Sequence, residues 1–207
     1  MKKVAVAIHA ADNFNPQIVQ GLKNLDYIHV DVMDGKFVNN IKNNLKVFKL
    51  LKNYTDVPLV AHLMVNNPTQ YIKKIIDFID IFLFHFEVKH DKYKIIKKLK
   101  KYKKKIGIVI NPDTEISKIV PYLEFIDNIL IMSVYPGWSG QKFIPETINR
   151  VNSLAEYKKK YDFEIIVDGG IDLENAKGLS NADTLSSSST ILNAKDPNLI
   201  IQNLKEL

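Results

Sequence analysis

Cysteine is missing from this 207-residue sequence. Disulfides, thiolate metal ligands and a cysteine nucleophile are therefore excluded. Arginine is almost missing too, Arg150 being the only one, although lysine is abundant. Surfaces that read nucleic-acid bases favour arginine forks, so this deficit argues against a nucleic-acid partner. No apolar run approaches the ~18 residues of a membrane span. The opening Met1-Lys-Lys-Val has neither a long apolar segment nor a small-residue cleavage site. The expectation is a cytoplasmic protein with no membrane partner. No Ser/Pro tract, linker or composition shift marks a boundary, so residues 1–207 read as a single domain.

The chain has a composition of 46% hydrophobic and 25% charged residues, which places it among folded globular proteins. Its net charge of +6 is concentrated locally: lysines crowd the stretch from Lys89 to Lys105. Such a run could meet phosphates, but Ile95, Ile96 and Leu99 recur inside it at helical spacing. That pattern makes the lysines the wet face of an amphipathic helix.

Strand and helix signals alternate along the chain. Strands are predicted at Lys3–His9, Tyr27–Gly35, Pro58–Val65, Asp80–Phe86, Lys105–Asn111, Asn128–Val134, Phe163–Asp168 and Asp183–Ser187. Helices are predicted near Pro16–Asn24, Leu45–Leu51, from Pro68 with Asn67 as its cap, in the lysine-rich stretch, and near Glu115–Phe125, Pro145–Lys160, Leu173–Leu179 and Pro197–Leu204. Eight units at roughly 25-residue spacing argue for parallel strands joined by crossover helices. Continuously apolar strands such as Ile81–Phe84 fit a sheet buried on both faces. The predicted fold is α/β, a (β/α)8 TIM barrel, for which ~200 residues is the lower end of the size range. An open doubly wound sheet fits less well, since Ala10-Ala11-Asp12-Asn13 lacks a Gly-rich first turn.

One stretch stands out, Tyr27-Ile-His-Val-Asp-Val-Met-Asp-Gly35. Strand side chains alternate faces, so His29, Asp31 and Met33 share one side. By itself the pair fits a solvated carboxylate and a core histidine as well as it fits two ligands. In such a barrel, chemistry sits at the carboxyl ends of the strands. The ends here offer His9, His29, Asp31, His62, His85 and Asp168, with Met33, Met64 and Met132 among them. Two imidazoles and two carboxylates, His29, Asp31, His62 and Asp168, make a mixed N/O site for one divalent metal ion: Zn, Fe, Mn or Co.

His29-Val-Asp-Val-Met-Asp-Gly35, Ala61-His-Leu-Met-Val65, Met132-Ser-Val-Tyr-Pro-Gly-Trp-Ser-Gly-Gln-Lys-Phe143 and Val167-Asp-Gly-Gly-Ile171 together resemble the ribulose-phosphate 3-epimerase family. The resemblance spans nearly the whole chain in order. It implies a metal held by His29, Asp31, His62 and Asp168, with Asp31 and Asp168 as the acid/base pair. It implies a small-molecule sugar phosphate as partner and a homo-oligomer. Met33, Met64 and Met132 fall where the family lines its site, although core gap-filling would also suit Met64. Gly140, Gly169, Gly170, Ser188 and Ser189 fall where backbone N–H groups would hold phosphate. The expected reaction inverts C3 of a ketose phosphate, D-ribulose 5-phosphate to D-xylulose 5-phosphate. Allulose-6-phosphate 3-epimerisation and a non-catalytic sugar-phosphate-binding barrel remain alternatives.

The match frays in places. Ser139 and Ser188 replace glycines of the family pattern, Ala7 replaces a serine and Asn39 a proline. Met33 stands where related decarboxylases need a lysine, which discounts them. His85 is expected beside the site rather than as a ligand, and His90 in solvent. No role is assigned to His9.

Overall fold

The computed structural model describes all 207 residues. Strands β1 (Lys3–His9), β2 (Tyr27–Asp34), β4 (Leu59–Met64), β5 (Ile81–His85), β6 (Lys105–Ile110), β7 (Asn128–Met132), β8 (Glu164–Asp168) and β9 (Thr184–Ser187) each run parallel to their neighbours. β1 hydrogen-bonds to both β2 and β9, closing the sheet into a ring. The one antiparallel element is β3 (Ile41–Lys42), laid against Met33 and Asp34 of β2. Helices α1 (Lys46–Lys52), α2 (Ile72–Ile75), α3 (Lys92–Leu99), α4 (Thr147–Ala155), α5 (Ser189–Leu192) and α6 (Pro197–Glu206) surround this ring. The fold is the predicted (β/α)8 TIM barrel.

Several connections are tighter than their sequence pattern predicts. Pro16–Asn24 yields only a 3-10 turn over Pro16–Val19, capped by the Asn15 side chain. Gln20 ends it in extended backbone, and Gly21 and Asn24, both at positive φ, keep the rest of the stretch from becoming helix. Glu115–Phe125 splits into 3-10 pieces at Ile116–Lys118 and Val120–Phe125. Pro121 falls inside that stretch, and a proline there cannot supply the N–H that a continuous α-helix requires. Asn67 does cap the turn at Pro68, its side chain accepting from Thr69 N–H. α3 buries Ile95, Ile96 and Leu99 and leaves its lysines outside, as its spacing predicts. Asp91 caps it, and left-handed Lys103 terminates the 3-10 turn that follows.

The apolar store lies mostly between ring and helices, where 47 buried side chains form one cluster. A second, smaller cluster of 8 packs inside the ring. Each large aliphatic so buried contributes ~1.5–3 kcal/mol, so the outer layer stabilises the fold and the bore is left able to carry polar groups. Below them, at the amino ends of the strands, Glu164 meets Lys3 at 2.6 Å and Lys105 at 3.5 Å.

A fourfold device ties the strands at that end. Asp26, Asp80, Asp127 and Asp183 immediately precede β2, β5, β7 and β9. Their carboxylates accept the N–H of Val4, Leu59, Ile106 and Ile165, near the starts of β1, β4, β6 and β8, at 2.6–2.9 Å. Each Asp N–H in return donates to the carbonyl of that same residue. Alternate strand pairs are thus clipped at one end, leaving the other end for loops.

Candidate active site

At the carboxyl ends of the strands, period-two alternation turns His29 and Asp31 of β2 into the bore. His62 of β4 lies in register beside Asp31. Asp168 ends β8, and the narrow ring brings it across to them. Asp31 Oδ1 lies 2.8 Å from His62 Nδ1 and 3.1 Å from His29 Nε2. The two imidazole nitrogens are 3.1 Å apart. Asp168 Oδ2 is 3.8 Å from each of them. One ligand atom from each of the four residues falls within 4.8 Å of every other, and all four residues are buried.

This donor set fits a divalent cation. Ring nitrogens and carboxylate oxygens all aimed at one point repel one another unless a proton or a metal ion lies between them. The charges are unequally placed. Burial alone pushes Asp31 up, but the imidazoles of His29 and His62 set against it hold it far below the ordinary carboxylate range. Asp168 is pushed up by burial and by Asp31, against the pull of His29. Burial lowers His29, yet Asp168 and Asp31 outweigh it and leave His29 raised. His62 is lowered by burial, with His29 and His85 adding to that effect.

Behind the cluster runs a second set of contacts. His62 Nε2 lies 2.9 Å from His85 Nε2, and His85 Nδ1 lies 3.2 Å from Glu87 Oε2. His85 is fully buried and stands outside the four-residue group, as expected.

Above the cluster opens a pocket with room of about 70 Å³ for water-sized groups. Met33, Met64 and Met132 are buried and wall it. Gly140, Gly169, Gly170, Ser188 and Ser189 line it on the side of the late strands. Gly169 and Gly170 take φ of +115° and +64°, and a Cβ on Gly170 would lie 2.8 Å from Phe143 N. No other residue fits that turn. Ser188 differs: its φ of −112° is open to any residue, and its hydroxyl donates to Ala7 O at 2.8 Å. His9 finds a partner in Ser139, whose Oγ is 3.0 Å from His9 Nε2 across the cavity mouth. Ser139, one of the positions that depart from the resemblance, thus touches the histidine to which the sequence assigns no role. His90 is half-buried rather than solvated, its Nδ1 enclosed and unpartnered.

The Ribulose-phosphate 3 epimerase family model matches residues 3–192. The chain belongs to the ribulose-phosphate 3-epimerase family. It is 35% identical over 186 residues to the ribulose-phosphate 3-epimerase of Methanocaldococcus jannaschii, covering 88% of this chain and 79% of that one. Against the Bacillus subtilis ribulose-phosphate 3-epimerase it is 37% identical over 185 residues, covering 85% and 84%. Among solved structures, 3-hexulose-6-phosphate synthase from Salmonella typhimurium superposes with a TM-score of 0.69 over 99% of this chain and 97% of that one. At 16% identity, that likeness speaks for the fold alone.

Within this family member some supporting residues escaped the sequence reading. Ser133 is buried and its hydroxyl donates to the carbonyls of Asp168 and Gly169, fixing the turn that carries Asp168. Asp34 accepts from Phe37 N–H and Asn66 N–H, joining two loops of the mouth. Glu87 lies two residues past His85, a spacing that could have flagged it, but Asn111 and Thr114, which donate to its Oε1, come from the loop after β6. No local pattern points to them.

Proposed function

We propose that this protein, as a single domain spanning residues 1–207, interconverts D-ribulose 5-phosphate and D-xylulose 5-phosphate. The observation that carries this reading is the convergence of Asp31 on β2 and Asp168 on β8, strands that are not neighbours in the ring, on His29 and His62. Inversion beside a ketone removes a weakly acidic proton from C3 and returns one to its other face. Two carboxylates facing each other across the substrate can do this without reorienting it. Asp31, as carboxylate, takes the C3 proton, leaving the electron pair in an enediolate. Asp168, as acid, delivers a proton to C3 from the opposite face, and the roles exchange in reverse. When bound by His29, Asp31, His62 and Asp168, a divalent ion (Zn, Fe, Mn or Co) supplies positive charge for the enediolate oxygens. Met33, Met64 and Met132 keep water from the reacting carbon. N–H groups around Gly140, Gly169 and Gly170, with the Ser188 and Ser189 hydroxyls, hold the phosphate.

Asp31→Asn and Asp168→Asn should each lower epimerisation by at least ~10²- to 10⁴-fold, with circular dichroism unchanged. Wild-type enzyme in deuterated water should place deuterium at C3. Near-normal turnover by either variant overturns the acid/base assignment. Turnover confined to D-allulose 6-phosphate overturns the five-carbon substrate. Absence of both turnover and metal favours a binding barrel. Family resemblance also motivates a homo-oligomer, which light scattering measures directly.

A further inference from the structure

We propose that Glu87, acting through His85, sets which ring nitrogen of His62 carries the proton, and so keeps His62 Nδ1 bare for a cation. This rests on the reading of His29, Asp31, His62 and Asp168 as a cation site.

Each link follows from what its neighbour can donate. Asn111 N–H donates to Glu87 Oε1 at 2.8 Å, and the Thr114 hydroxyl donates to the same oxygen. Oε2 is left facing His85 Nδ1 at 3.2 Å. A carboxylate only accepts, so His85 carries its proton on Nδ1 and presents Nε2 as an acceptor. His62 Nε2, 2.9 Å away, must then carry the proton and donate it. In a neutral ring that leaves His62 Nδ1 with a free lone pair, aimed at the point it shares with Asp31 and His29. Both histidine rings are fully buried, so water does not substitute for a missing partner.

The frame around Glu87 is itself held. Arg150, the only arginine, reaches from α4 to donate to Pro112 O at 2.6 Å and Thr114 O at 2.7 Å. These bonds pin the segment that brings Asn111 and Thr114 onto Oε1. Glu87 is ionised well within the physiological range: burial pushes it up, but the bonds from His85, Thr114 and Asn111 hold it below its ordinary value.

Glu87→Gln tests the polarity of the chain. Asn111 N–H cannot accept, so the amide oxygen stays against it and the NH₂ turns to His85. His85 Nδ1 then becomes an acceptor, its proton moves to Nε2, and His62 must take its own proton on Nδ1, where the cation binds. Zn²⁺ affinity of the full chain, measured by competition with a chromogenic chelator, should fall ~10- to 100-fold, the range for outer partners of metal-binding histidines. Thr114→Val, which keeps the carboxylate and the Asn111 bond, should retain wild-type affinity. Histidine ¹⁵N spectra of the Zn²⁺-loaded wild type should show His62 protonated on Nε2 and His85 on Nδ1. That spectrum decides the matter even if the glutamine variant fails to fold. Wild type that binds Zn²⁺ with His85 protonated on Nε2, or a folded Glu87→Gln with unchanged affinity, overturns this inference alone. Wild type that binds no Zn²⁺ overturns the cation site as well.

Discussion

Asp31 is a buried carboxylate and Glu87 a half-buried one, and their surroundings set them different tasks. Asp31 is enclosed by two imidazoles at the open end of the bore. Glu87 is saturated on one oxygen by fixed donors and faces a single ring with the other. Its folded-state acidity has a consequence for stability. A carboxyl whose folded pKa lies below its unfolded value stabilises the fold fully above the unfolded value, ~4.3 for glutamate, and loses that contribution as pH falls through the folded value. Glu87 is lowered in this way. Urea unfolding of wild type and Glu87→Gln should therefore differ most near neutrality and converge below about pH 4. A gap that widens in acid would show that another group controls it.

Among the elements, the strand ends divide the labour. At the amino ends the reciprocal Asp clips join β1 to β2, β4 to β5, β6 to β7 and β8 to β9. Removing one carboxylate strands a strand-end N–H that no other group is placed to accept. Asp127→Ala should cost about 1–3 kcal/mol in denaturant unfolding while leaving KM for ribulose 5-phosphate unchanged, because the clip lies at the far end of the ring from the cavity. A raised KM with unchanged stability would contradict that division. At the carboxyl ends the loops are held by a different means: Asn40 donates to Gly137 O, Gln141 to the carbonyls of Tyr135 and Trp138, and Ser139 meets His9.

For the molecule as a whole, the site sets four like-tempered groups against one another inside an apolar shell. Folding brings ligand atoms of His29, Asp31, His62 and Asp168 within 4.8 Å of one another. A cation that binds only the folded chain stabilises it by mass action, ~2.7 kcal/mol at a hundredfold excess over Kd. Thermal unfolding with Zn²⁺ should rise above that measured in chelator, and His62→Ala should abolish the difference. Equal melting temperatures for wild type under both conditions would remove the cation from the folding balance. No helix is long and apolar enough to cross a membrane.

Much of this architecture was legible in the chain itself. Short β-rich runs identified all eight barrel strands within a residue or two of their ends, because strands buried on both faces are written as nearly unbroken apolar runs. Period-two alternation placed His29 and Asp31 together, and motif order supplied His62 and Asp168. Helical connections read less well: Pro16–Asn24 and Glu115–Phe125 carry apolar spacing enough for helices, while Gly21, Asn24 and Pro121 decide otherwise through backbone geometry. The pairing of His9 with Ser139, and the run from Arg150 through Thr114 and Glu87 to His85 and His62, belong to tertiary structure alone. Their members come from separate strand ends, and closing the ring is what makes them neighbours.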